Sequence, residues 1–493
     1  MSLHAQSVAS YRTDQRYLGL ALTGVALVIS LALAGFVLIN PASVWLVVAL
    51  AVAALVLWQP RYGLFLIVGL ALLIDPQPAD PVVAPGRFLY QAFDTFTPLR
   101  GAVFTPLELL IAWTVLAALL RREGRVVFGD LFLPLMGLAG ALLLGLYRGM
   151  TSGGDMTVAL WEVRALLSLV PIYLLVTNLV REKRHVFQLV AVLLIAIALM
   201  SAESIWRYFT YVREYRLNAP YDLAFGHVNG PLAATMVVLA LSQALWAGRG
   251  WRRWAYLLPM ALGGVAVLVL RRRAGIVALE TGVLLVALAL VLENRRLFFI
   301  LIPVGVLASI VYLNVFWANT GSLGQPARVF RTVTGAGLLS SRDLASDDYR
   351  TAEAENIRLN ISWQPVQGLG FGNQYVFAVR MPDLSWWPFW HYIPHNTIFW
   401  FWLKAGVVGF VMLLTLLGAA LVRGAQLVRE TADRTLKPIA ITSLAYVVML
   451  IMFSYVDLGL VDVRATILLG VALGLIGSLG KVQERDGGIK QAG

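Results

Sequence analysis

The sequence predicts an all-α polytopic membrane protein of about fourteen transmembrane helices, with one large extracytoplasmic loop containing short helices. Three observations predict it: the composition, the lengths of the apolar runs, and the side of the membrane on which Lys and Arg fall. Hydrophobic residues are 59% of the 493, charged residues 13%, and mean hydropathy is +0.77. A soluble globular chain has roughly 45–50% apolar and about 25% charged residues. An excess of that size cannot be hidden inside one water-facing globule, so lipid must solvate much of it.

A membrane-spanning helix needs roughly 20 mostly apolar residues. Fourteen stretches qualify, near 18–39, 42–58, 61–74, 105–120, 131–147, 161–180, 186–206, 229–247, 252–270, 274–292, 295–316, 394–421, 436–456 and 462–480. The first is too long for the apolar core of a cleavable signal and reads as a transmembrane helix. The second and third are short enough to form a re-entrant pair. With residues 1–17 in the cytoplasm, the inside loops collect 21 of the 39 basic residues. Among them are Arg121, Arg122 and Arg125, then Arg181, Lys183 and Arg184, and later Arg423, Arg429, Arg434 and Lys437. That bias is the positive-inside rule satisfied along the chain. It implies an even number of spans and both termini in the cytoplasm. It also accounts for the net charge of +12 through anionic lipid, so no nucleic-acid partner is called for. The chain has no cysteine, which excludes disulfides and thiolate metal sites.

The chain then divides into N-terminal transmembrane helices over 1–160, central helices with outer Arg clusters over 161–317, and an extracytoplasmic loop over 318–393. C-terminal helices follow over 394–480, with a cytoplasmic tail over 481–493. Within the loop, 344–363 has an acidic start and a helical pattern.

Arg271, Arg272 and Arg273 break the charge rule, because they fall between two spans on the outer side, directly after an apolar run. Arg207, Arg213 and Arg216 form a second outer basic group, and Arg358 lies in the large loop. A local rule broken against global consistency marks a functional site. Arg presents a planar fork of donors that matches phosphate oxygens and keeps its charge, so a diphosphate at headgroup level is the natural partner. Glu108, Glu162, Arg164, Glu203 and Glu280 fall in the outer halves of their spans, where ionisable residues line a cavity or pair with one another. A transporter would place such charges near the midplane.

Topology puts His227, His391 and His395 outside, and His4 and His185 inside. His395 and Asn396 follow Pro394, and nine residues later comes Gly406-x-x-Gly409. Read alone, this is a helix start with a capping Asn and two glycines that admit a neighbouring helix.

The HN-x9-GxxG pattern, closing a large outer loop, resembles the signature of the O-antigen ligase family, which is related to the polymerases of lipid-linked glycans. FGHVNGPLAA at 225–234, LRRRAGIVAL at 270–279 and QGLGFGNQY at 367–375 resemble further stretches of that family, in the same order. The resemblance implies a GT-C-like helical fold in the bacterial cytoplasmic (inner) membrane, with an extracytoplasmic active site and no metal or other cofactor. It implies an undecaprenyl-diphosphate-linked glycan donor and a glycan or glycolipid acceptor. The family's essential histidine falls on His395. Its essential arginines fall on Arg273 or Arg272 and on Arg216, with Arg271, Arg272, Arg358, Arg213 and Asn396 as further substrate-binding candidates. One departure stands out: these ligases usually have about twelve spans, so the extra two belong to the dissimilar N-terminal part.

On this reading His395, with an ordinary pKa near 6.5, removes the acceptor proton, and direct displacement of the diphosphate inverts the anomeric centre. The alternatives are a polymerase whose acceptor is a second lipid-linked glycan, a flippase, and a scaffold without chemistry. Asp347 and Asp348 read as a solvated helix start. Trp386, Trp387, Trp390 and Tyr392 read as an interfacial belt. Lys404 either reaches the site or pairs with an acid.

Overall fold

The computed structural model describes residues 44–76, 89–93, 103–122, 125–213, 226–247, 250–319, 321–335, 341–385 and 387–491. Among them the regular structure is helical: α1 Val44–Trp58, α2 Pro60–Leu73, α3 Pro106–Leu120, α4 Phe132–Thr151, α5 Met156–Leu167, α6 Leu169–Leu179, α7 Lys183–Arg207 and α8 Asn229–Ser242. Then come α9 Leu257–Val269, α10 Arg273–Glu293, α11 Arg295–Phe316, α12 Gln325–Thr334, α13 Ser341–Trp363, α14 Thr397–Glu430, α15 Lys437–Val456 and α16 Val463–Gln491.

Nine helices among the described residues are long and apolar enough to cross a membrane: α4, α5 with α6, α7, α8 with its π-helical end, α10, α11, α14, α15 and α16. The chain is therefore a polytopic helical membrane protein. Four shorter apolar helices, α1, α2, α3 and the unit ending in α9, fall on the remaining predicted spans. The predicted span at 18–39 lies outside the described residues. The predicted tail at 481–493 continues α16 as far as Gln491.

The centre is marked by burial. α16 is almost wholly enclosed, and α8 and α15 are mostly so, whereas no residue of α11 is buried. Close approach at the centre rests on small residues. A Cβ on Gly470 would stand 2.8 Å from Ile172, and one on Gly474 would stand 2.6 Å from Val176. The spaced glycines of α16 thus let α6 lie against its backbone, as small residues do between helices in lipid.

The long loop between α11 and α14 spans Asn319 to Asn396 and holds the short α12 and the 23-residue α13. On the buried face of α13, Asn356 and Asn360 grip the strand-like segment below them. Asn356 accepts from Val379 N at 2.7 Å and donates to Val379 O at 2.8 Å, and Asn360 does the same with Val376 at 2.9 and 2.7 Å.

The loop is also welded into α14. Gly406 interrupts that helix with φ 66° and ψ −173°, a conformation open essentially to glycine alone. The backbone groups freed by the break are taken up by the preceding loop. Leu369 N donates to Leu403 O at 2.8 Å, Gly370 N to Lys404 O at 3.0 Å, and Val407 N to Pro365 O at 3.0 Å. The close helix approach expected of Gly406 is in fact an approach of this loop, since a Cβ there would stand 2.1 Å from Val366 O.

Gly406→Ala should therefore destabilise the protein by at least about 1–3 kcal/mol from the conformation alone. Gly418→Ala, on the same helix with nothing within 4 Å of the added methyl, should be neutral or stabilising. Thermal unfolding of the two variants in detergent compares them directly, and equal melting temperatures would refute the strain assigned to Gly406.

Candidate functional site

The site is built where the starts of α8 and α10 cross. A Cβ on Gly230 would stand 3.0 Å from Gly275 Cα, so the two backbones touch there. Three residues before each glycine stand His227 and Arg272, and the crossing brings them together. Arg272 Nη1 lies 3.1 Å from His227 Nδ1. Asp457, in the turn that ends α15, places Oδ1 2.7 Å from the same nitrogen and Oδ2 3.9 Å from Arg272. Burial alone would raise the Asp457 pKa. His227, Arg272 and Arg350 outweigh it and hold this carboxyl, 2% exposed, well below the usual carboxylate range. An ionised Asp457 accepts, so the His227 proton belongs on Nδ1.

His395 faces this group from the residues just before α14. Its ring centroid is 6.5 Å from that of His227, 5.5 Å from Tyr349 and 6.3 Å from Trp387. Glu353 of α13 takes both donors of the one residue: Oε2 accepts from His395 N at 2.9 Å, and Oε1 lies 3.2 Å from Nδ1. Burial would lower the His395 pKa. The Glu353 charge and hydrogen bond, helped by Asp457 and opposed by Arg350, leave it raised. Burial and Glu353 also push up the Tyr349 hydroxyl, which stays protonated. Asn396 is the N-cap of α14, its Oδ1 accepting from Phe399 N at 3.0 Å. Helix α14 thus begins two residues after His395. Thr397 Oγ1 donates to the Ser454 and Asp457 carbonyls at 3.1 and 3.2 Å, which ties His395 to the turn carrying Asp457.

The predicted arginines fall into separate groups. Arg273 makes a two-point contact with Asp347 at 3.0 and 2.5 Å and donates to Thr332 Oγ1 at 3.2 Å. It thereby joins α10 to both outer-loop helices. Asp347 is consequently an ion-pair partner and not a solvated helix start. Arg271 occupies the turn into α10 with φ 52°, the one non-glycine residue with positive φ among those described. Arg213 is exposed beyond α7, its guanidinium 5.6 Å from the Phe209 ring. Arg358 is 74% exposed and paired with Glu355, around α13 from the face that carries Glu353, so the structure does not bring it to His395. Arg216 lies outside the described residues.

The intramembrane charges are mostly consumed in pairs. Lys404 and Glu162, both fully buried, meet at 2.9 Å. Glu162 also accepts from Gly372 N at 2.5 Å and Trp400 Nε1 at 3.3 Å, and Lys404 donates to the Asn373 carbonyl. Glu108 closes a capping box with Thr105 and lies 3.7 Å from Arg164, and Glu203 pairs with Arg207 at 2.5 Å. Glu280 stands exposed on α10. Among the described residues no three His, Asp or Glu side chains converge as metal ligands would.

Sequence reasoning missed Glu353 and Asp457. It also passed over a buried hub in which Arg464 Nη1 donates to Asn229 Oδ1 at 2.5 Å and Asn229 Nδ2 to Asp75 Oδ2 at 2.9 Å. The signal for one of these was in view, since Asn229 is within the stretch singled out at 225–234.

The family described as O-antigen ligase matches residues 258–414, which hold Arg271 to Arg273, Glu353, His395 and the Gly406 break. Those residues are similar to an O-antigen ligase domain. Over 86 residues the chain is 37% identical to the O-antigen ligase of Salmonella typhimurium (strain LT2), covering 17% of this chain and 20% of that protein. The shared stretch is thus about a fifth of the relative's length. His227, Glu162 and Asp457 lie outside the matched segment, and the fold delivers them to it.

Removing one partner of a buried ion pair costs about 3–5 kcal/mol, because the other charge is left unpaired. Lys404→Ala should therefore melt far below wild type, and Lys404→Met combined with Glu162→Leu should recover most of the loss. If Lys404→Ala costs only about 1 kcal/mol, as an exposed pair would, the pair is not what fastens the 365–373 loop between α14 and α5.

Proposed function

We propose that the protein transfers an undecaprenyl-diphosphate-linked glycan to an acceptor hydroxyl at the outer face of the bacterial cytoplasmic membrane, in a metal-independent, inverting reaction. The observation that carries this reading is one juxtaposition: His395 lies beside the cluster of His227, Arg272 and Asp457, and Arg273 is the next residue along. His395 is one ring away from Arg272 through His227, and Arg273 follows Arg272 at the start of α10. The O-antigen ligase domain supports glycan transfer as the reaction class.

The chemistry is a displacement. The acceptor oxygen attacks the anomeric carbon from the side opposite the diphosphate, and its proton passes to His395 Nε2. As the new C–O bond forms, the bond to the diphosphate breaks and the electron pair leaves on the diphosphate. The leaving group needs no proton if cations meet its charge as it develops, and preorganised donors do this without reorganising.

The two arginines suit different parts. Asp457, which holds Arg272 and His227, is buried, whereas Asp347, which holds Arg273, is 37% exposed. Asp347 is the carboxylate that solvent can receive more readily, so Arg273 is the guanidinium that can trade a carboxylate for the donor's diphosphate. Arg272 stays with Asp457, which orients His227. Both termini then lie in the cytoplasm, and α12 and α13 cap the site from outside.

The test is turnover by purified protein supplied with undecaprenyl-diphosphate oligosaccharide and an acceptor glycolipid, followed by release of undecaprenyl diphosphate. His395→Ala should lower the rate by about 10²–10⁴-fold, the usual contribution of a positioned base. Arg273→Ala should raise the donor KM as well as lower kcat, and a chelator should change neither. Wild-type turnover by His395→Ala would overturn the assignment, and products longer by repeated donor units would identify a polymerase.

A further inference from the structure

We propose that Glu353 is the positioning residue of His395, fixing which ring nitrogen is left to take the acceptor proton. The inference deepens the reading of His395 as a base and rests on it. The geometry is a two-point grip. Two oxygens of one carboxylate meet the backbone N–H and Nδ1 of one residue, at 2.9 and 3.2 Å. That leaves the imidazole one orientation about its side-chain torsions. With Nδ1 facing an acceptor-only carboxylate, the proton of the neutral ring sits on Nδ1, and the lone pair is on Nε2. Nε2 is then the atom that receives the proton, and the imidazolium so formed is stabilised by the carboxylate behind it, which itself stays ionised.

Burial supports the assignment. The Glu353 side chain is 3% exposed while that of His395 is 19% exposed, so the acid lies behind the ring and the ring faces outward. Glu353 is also held where it is. Asn356 and Asn360, on the same face of α13, anchor the helix to Val379 and Val376. The charged and titratable groups around His395 come from four directions: Glu353, Tyr349 and Arg350 on α13, His227 before α8, Asp457 after α15, and Arg272 behind His227. Glu353 is the one in hydrogen-bond contact with the ring, and its charge outdoes the others in raising the His395 pKa. The consequence concerns regulation of the site as well. The acid comes from the outer-loop helix and the base from the start of α14, so the base is set correctly only when the loop is seated.

The sign of the pH effect follows. A base works deprotonated, and Glu353 favours the protonated ring, so removing its charge must move the acid limb of the rate profile to lower pH. Glu353→Gln keeps the shape and loses the charge. It should lower kcat on the order of 10³-fold, as loss of the acid behind a histidine base does elsewhere, with the donor KM little changed and the acid limb shifted acidward. Glu353→Asp, which keeps the charge, should leave the limb in place. A second readout needs no turnover: the pH midpoint at which the His395 peptide becomes acylated by diethyl pyrocarbonate, read by mass spectrometry in wild type, Glu353→Gln and Glu353→Asp. The Gln midpoint should fall and the Asp midpoint should hold. If the Gln and wild-type midpoints coincide in folded protein, or if kcat of Glu353→Gln stays within a few fold of wild type with its limb unmoved, Glu353 is a loop anchor and the proposal is overturned. Turnover by His395→Ala would instead remove the base reading, while the acylation midpoints would still report whether Glu353 sets the ring.

Discussion

A helix that breaks inside a bilayer exposes backbone groups that lipid cannot satisfy, and the rest of this structure depends on how α14 meets that constraint. Non-helical backbone at membrane depth survives only where protein covers it. Here the cover is the loop from Pro365 to Asn373, whose amides and carbonyls complete the gap at Gly406. The buried pair of Lys404 and Glu162 then locks the same loop from the opposite side, with Gly372 N and the Asn373 carbonyl as its remaining partners. Because this loop is continuous with the segment gripped by α13, the seating of α13 is an extension of the packing of α14. The position of Glu353 relative to His395 is thus set in the membrane, by residues that touch neither.

The second constraint is the glycine-on-glycine crossing of α8 and α10. Helices normally pack about 8–10 Å apart; two glycines face to face allow the backbones themselves to meet. The residues one turn earlier are then forced into one small volume, and there the chain puts His227 and Arg272. A buried guanidinium beside an imidazole needs an acid, and the buried Asp457 supplies it from a third helix end. Burying a charge is tolerable only when it is paired. The cluster is therefore satisfied as a whole or not at all, which makes it a rigid floor for the more exposed His395.

Much of this was legible in the sequence, because lipid leaves strong marks. Apolar runs of bilayer length and the placement of Lys and Arg reported the helices, and the misplaced Arg271 to Arg273 and the His395 motif pointed at the site and at the O-antigen ligase family. What stayed hidden depends on contacts that no local pattern records. Glu353 is one of several acids on a helix with an acidic start, and only the direction in which that face turns distinguishes it from Glu355, which holds the exposed Arg358. Asp457 is a single acid in a short turn after an apolar span, where a cap or a solvated residue is equally ordinary. Gly406 was legible as a place of close approach but not as a break, since the same small residue serves both. Lys404 could not be assigned because its partner lies 242 positions earlier in the chain.

On the proposed function, charge balance lets the site be stable when empty and still receive a dianion. Arg272, Arg273 and Arg328 are matched by Asp457, Asp347 and Asp343, so each of these three guanidiniums already holds a carboxylate. A diphosphate gains affinity only by the difference between its own contacts and those it replaces. Asp457 and Asp343 are enclosed and their pairs are bound up with the packing of helix ends, so displacing them would unmake the floor of the site. Asp347 lies on the open side of α13, where water can solvate it once released. The arrangement thus grades the carboxylates by how readily solvent can receive them, and on the proposed function that grading selects Arg273 as the point where donor charge meets the protein.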